Sequence, residues 1–100
     1  MDSPLSIIEC YRYQCEKFFG IYQHKAYVML KTSNYHFTGR TFVKFSVLYE
    51  EYSLRIRHIA ESMHDIFADT VIGKAIRKTF LRFSIRFSGL WEKLKNDSQS

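Results

Sequence analysis

One hundred residues bound the chain to a single domain, 1–100, because one core serves chains of up to about 250 residues. Apolar residues at 46% and aromatics at 17% exclude a disordered chain. The lack of any run of about 18 apolar residues excludes a transmembrane helix. The net charge of +5 belongs to the last quarter: residues 74–100 hold seven Lys/Arg and two Asp/Glu, 1–40 carry +2, and 41–73 carry −2. A basic surface of this kind favours nucleic acid, acidic protein patches or anionic membrane.

No charged n-region followed by an apolar run opens the chain, so no secretion signal is expected. Cys10 and Cys15 are five apart, about 140° around a helix, so they are expected reduced and unbonded, as in a cytoplasmic protein.

Ser3-Pro4 and the capping-box form Ser6-x-x-Glu9 are helix-start signals. Ile7/Ile8, Tyr11, Cys15 and Phe18/Phe19 keep helical spacing and Gly20 can end the element, which predicts a helix over about 5–19. Residues 21–40 are ambiguous. Ala26 to Leu30 fits a strand or a buried helix, and Thr32-Ser33-Asn34 reads as a turn. Tyr35 to Thr38 would return as the second strand of a hairpin; a short helix and a loop is the preferred alternative.

From Thr41, a candidate cap, Phe42, Phe45, Leu48/Tyr49, Tyr52, Ile56, Ile59, Met63 and Ile66/Phe67 step by three or four. They predict a long helix over about 42–68. Asp69-Thr70 is a fresh N-cap signal and Gly73 a candidate C-terminal cap, so a break falls between them. A last helix over about 74–95 carries two ladders. Ile76, Phe80, Phe83, Phe87, Leu90/Trp91 and Leu94 form an apolar face, and Lys74, Lys78, Arg82 and Arg86 climb a second face. Residues 82–88 also alternate as a strand would, but the helical ladder extends further in both directions. The expected fold is mainly α, with the last two helices antiparallel.

A break near residue 71 would set positions summing to about 143 at one height in that hairpin. Asp69 then meets Lys74, Asp65 meets Arg77/Lys78, Glu61 meets Arg82, and Glu50/Glu51 meet Lys93, which balances much of the basic ladder. Arg86 falls opposite Arg55 and Arg57, with His58 close by, and no acid is level with them unless Glu9 or Glu16 of the first helix reaches there. Unpartnered like charges point to an external anionic partner. Arg55, Arg57, His58, Arg82 and Arg86 are therefore candidate partner-binding residues, joined by Tyr11, Tyr13 and Tyr22 from a tyrosine-rich first half that cannot all be buried.

No catalytic constellation, metal site or cofactor motif emerges. Cys10, Cys15, His24 and His36 lack the close Cys pairs of structural zinc sites, and Cys15 reads as core. A single Glu61-x-x-His64 falls short of a di-iron set, and adjacent His64 and Asp65 diverge on a helix. There is no phosphate loop, nucleophile elbow or His-Glu-x-x-His, so the chain is read as non-enzymatic. Phosphate contacts by the terminal helix would suit nucleic acid, although its aromatics lie on the core-facing stripe rather than among the cations. Trp91, Phe87 and Phe83 opposite cations would also suit a membrane surface, but that stripe is needed to pack the long helix. An adaptor or inhibitor acting on a protein is the leading class.

The length, the basic balance and the opening Glu9-Cys10-Tyr11-Arg12-Tyr13-Gln14-Cys15-Glu16 resemble the anti-RecBCD proteins of lambdoid phages, the second Abc type. The resemblance implies a phage accessory protein that modulates a host DNA-processing complex, the recombination nuclease, through its RecC subunit in the host cytoplasm. It carries over no functional residues.

Overall fold

The aromatic ladders pack three helical rods side by side, in a computed structural model that describes residues 4–63 and 68–99. In chain order the elements are α1 (Pro4–Thr32), α2 (Gly39–Met63), α3 (Val71–Ser88) and α4 (Leu90–Gln99). The protein is mainly α, as expected, and no strand occurs among the described residues.

α1 is one helix of 29 residues, about 43 Å long, and continues well past the end expected at residue 19. Pro4 suits the first turn, where its missing N–H costs nothing. Gly20 does not end the helix, because Tyr11, Cys15, Phe19, Tyr22, Ala26 and Leu30 form one continuous buried stripe across it. Burying a large apolar side chain gains about 1.5–3 kcal/mol, against about 1 kcal/mol for a mid-helix glycine. The hairpin alternative for 21–40 gives way to this helix and a loop. The helix closes with a Schellman turn: the Tyr35 N–H donates to Leu30 O at 2.8 Å and the Asn34 N–H to Lys31 O at 3.1 Å. Asn34 takes the left-handed conformation this turn needs (φ 54°), a role asparagine tolerates.

α2 begins three residues earlier than its apolar ladder. Thr38 is its cap, accepting from the Thr41 N–H at 3.3 Å. Thr41 was the expected cap; instead it is buried in the first turn, where its hydroxyl donates to His36 O at 2.8 Å and ties the linker down. α2 is described to Met63; of its predicted span to residue 68, 64–67 lie outside the described residues, and Ala68 is not helical.

Thr70 caps α3, accepting from the Gly73 N–H at 3.0 Å. Gly73 is therefore in the first turn of a helix and not at the end of one. A Cβ there would sit 2.5 Å from Ala68 O, so the close approach of the incoming chain needs glycine. Gly89 separates α3 from α4 while staying in the right-handed region (φ −79°), so α4 continues α3 after a one-residue break.

α1 runs antiparallel to α2 and parallel to α3 and α4. Arg86 meets Glu16, and Tyr27 meets Asp97, both at a sequence separation of 70. The core is aromatic. The Phe87 ring stacks on Tyr52 at 4.5 Å and on Phe45 at 5.3 Å, and meets Phe19 edge-on at 6.1 Å. Trp91 packs edge-on against Phe37 and Phe42. No described helix is long and apolar enough to cross a membrane.

Candidate functional site

The α2–α3 register decides which charges can meet. Phe42–Trp91, Phe45–Phe87 and the Tyr52 hydroxyl on Phe83 O place positions summing to about 133 at one height, five residues per helix away from the expected 143. Aromatic pairs each add about 0.5–1.5 kcal/mol beyond their buried area, whereas exposed ion pairs give about 0–1 kcal/mol, so ring packing sets the register. Of the expected cross-helix ion pairs, Asp69–Lys74 forms at 3.1 Å beside the connection. Glu61 instead pairs with Arg57 one turn away at 3.2 Å, and Glu51 lies 4.0 Å from Lys25. Asp65 and His64 lie outside the described residues.

The expected Arg55–Arg57–Arg86 cluster is dispersed as a result. Arg86 turns to α1, donating to the Glu16 carboxylate at 3.0 and 3.1 Å, with its guanidinium 4.0 Å from the Phe19 ring centre. Glu16 is one of the two first-helix acids, with Glu9, expected within its reach. Arg82 stands exposed on α3 with Arg77 and Lys78, and none of the three has an ion pair among the described residues. Arg55 and His58 do come together, lining a cavity of about 320 Å³ with Phe18, Glu51, Leu54 and Ile59. Arg57 and His58 flank Leu54 on the adjoining surface.

The tyrosines divide differently from the expectation. Tyr11 is fully buried, its hydroxyl donating to Ile56 O at 2.8 Å, and burial raises its pKa well above the usual tyrosine value. Tyr22 is buried too, its hydroxyl donating to Glu51 at 2.8 Å beside the Arg55 guanidinium. Both are packing residues, because their rings continue the apolar stripe of α1. Tyr13, 62% exposed with the Lys17 ammonium over its ring, is the one of the three on the surface. Cys15 is core, its thiol pushed up to about 11 by burial, and Cys10 is exposed; both are free, as their spacing indicates.

The most developed surface feature was not anticipated. Between α1 and α2, on the side away from α3, lies an apolar groove holding a cavity of about 540 Å³. Half-buried Met29 and Leu48 form its floor, and exposed Val28, Val43 and Val47 form its walls. His24, Lys25 and Lys44 stand at its rim. Exposed Ile21 on α1 and Leu54 on α2 extend the apolar surface toward the Arg55–His58 cavity. The sequence carries the signal for it: Val43, Val47 and Leu54, spaced four and seven, form a second stripe on α2, off the Phe45–Tyr52–Ile56 face. Ile21 and Val28 repeat that spacing of seven on α1.

Chemically, the groove offers apolar contact and cations. It has no nucleophile with a base, and no group of three or more metal-ligating side chains occurs among the described residues. Compared with protein families, curated proteins and solved structures, the chain has no significant match, so its function rests on its own residues.

Proposed function

We propose that this chain is a non-enzymatic protein-binding modulator acting in the cytoplasm. The observation that carries this reading is the α1–α2 surface, where Val43, Val47 and Leu54 are 60%, 57% and 59% exposed, in line along one helix and beside Ile21 and Val28 of the next. Apolar surface gathered in this way beside polar residues marks an interaction site rather than ordinary surface scatter. The resemblance to lambdoid-phage anti-RecBCD proteins supplies the partner class, a host DNA-processing nuclease complex that is inhibited or redirected.

Affinity capture from host lysate, repeated after nuclease treatment, tests the reading. A protein should be retained after treatment, and lost with Val43→Glu/Val47→Glu, while circular dichroism confirms an unchanged helix content. Partners that all vanish on nuclease treatment would end it. Purified recombination nuclease, assayed on linear duplex DNA with and without the chain, then tests the narrower partner assignment.

A second reading, direct nucleic-acid binding, is favoured by one observation. α3 carries five Lys/Arg and no Asp/Glu, and exposes Arg77, Lys78 and Arg82. About three phosphate contacts would give a log–log salt slope near −3 for duplex DNA, measurable by anisotropy.

A further inference from the structure

We infer that the α1–α2 groove is a docking site for an acidic amphipathic helix of a partner protein. The inference rests on the protein-binding reading and gives it an occupant. Two antiparallel helices present two grooves. In this fold α3 and the start of α4 fill one of them with Phe83, Phe87 and Leu90, and the other lies open with apolar residues on both walls. A helix is the shape that such a groove accepts, anchored by side chains at i, i+3/i+4 and i+7. From Val43 to His58 the groove runs fifteen residues along α2, about 22 Å, which matches a partner helix of about four turns.

Charge selects the occupant. Lys25, Lys44 and His24 border one end, and Arg55 and His58 the other. The acids nearby are largely engaged within the fold: Glu51 accepts from Tyr22 and faces Lys25, and Glu61 holds Arg57. Glu50, three residues after Val47 and four before Leu54, stands exposed on the same helical line as those two. With Lys25 facing Glu51 and Arg57 holding Glu61, Lys44, Arg55 and the two histidines stand against Glu50, so the rim keeps a cationic excess around an apolar floor, complementary to a helix with a leucine-type stripe flanked by Asp and Glu. The groove walls carry no exposed aromatic ring on which a base would stack.

The test uses the full chain and two synthetic helical peptides of about fifteen residues with the same leucine stripe, one flanked by Glu and one by Lys. In an isotope-labelled titration the acidic peptide should shift the signals of Val28, Val43 and Val47. Its affinity should fall on raising salt from about 50 to about 300 mM. It should also weaken by about tenfold or more in Lys44→Glu/His58→Glu, a pair with no ion pair among the described residues. Equal binding of the two peptides, binding that maps to another face, no binding, or a concentration-dependent dimer broken by Val43→Glu would each overturn the inference. The parent reading fails separately. Lysate capture lost with Val43→Glu/Val47→Glu but kept with Lys44→Glu/His58→Glu rejects the acidic occupant alone, whereas capture indifferent to both pairs rejects the groove as a protein-binding surface.

Discussion

Phe87 sits where all three rods meet, against Phe19 of α1 and Phe45, Tyr49 and Tyr52 of α2. Truncating so large a side chain costs about 3–5 kcal/mol, comparable with the whole stability of a domain of this size. Phe87→Ala is therefore expected to lose cooperative urea unfolding, and Phe87→Leu to keep it at a lower midpoint. Two buried hydroxyls bind the rods more finely: Tyr11 donates to Ile56 O and Tyr52 to Phe83 O. Tyr11→Phe and Tyr52→Phe should each cost about 1 kcal/mol by urea titration. The same groups set the response to alkali. Burial raises Cys15 from 9.0 to about 11 and raises Tyr11 and Tyr52 as well, so the folded state holds these protons to higher pH than the unfolded chain does. The Cys15 contribution is complete below pH 9 and is lost as pH rises through about 11, while that of the two tyrosines starts to go only above their ordinary 10.0; the thermal midpoint should be level up to pH 9 and fall steadily above it. At this scale Cys15 was legible, since its helical phase put it on the core face. Tyr11 and Tyr22 are not legible, because a tyrosine's ring and hydroxyl argue for opposite environments. Only the tertiary acceptor, a carbonyl or a carboxylate on α2, decides between them.

At the scale of the element, two glycines give opposite predictions for one substitution. Gly20 is exposed, helical and has nothing near its Cβ position, so Gly20→Ala should raise stability by about 0.5–1 kcal/mol. Gly73→Ala should lower it, since the new methyl would meet Ala68 O at 2.5 Å and the turn into α3 would have to move. Paired thermal melts of the two variants check both signs. Helix type and the long apolar ladders of α2 and α3 were readable, because a 3.6-residue period survives whatever packs against it. The ends were not. Gly20 carries the local signature of a stop, and Thr41 that of a cap, yet the buried stripe overrides the first and Thr38 takes the place of the second.

For the whole molecule the deciding quantity was the α2–α3 register. A charge-matched alignment looked plausible from sequence, but it assumed where the connection turns, and ring packing set it elsewhere. Of the candidate partner-binding residues, Arg55, Arg57 and His58 lie near the open groove, while Arg86 is committed to Glu16. That Glu16–Arg86 pair is about half exposed on both sides, so a double-mutant cycle should find about 1 kcal/mol or less of coupling, diminishing with salt.

The up–down–up path also has a mechanical consequence. Because α1 and α3–α4 run in the same direction along a body 49 Å long and 17–20 Å across, the first turn of α1 and the last turn of α4 lie at opposite tips. A pull applied between those two turns acts along the helix axes. It loads the Glu16–Arg86 and Tyr27–Asp97 contacts and the aromatic core in shear, all at once, and cannot peel one helix away from its end. Stretched this way the rod should yield in a single abrupt event, whereas a pull between the α1–α2 turn and α4, which share a tip, should open it helix by helix.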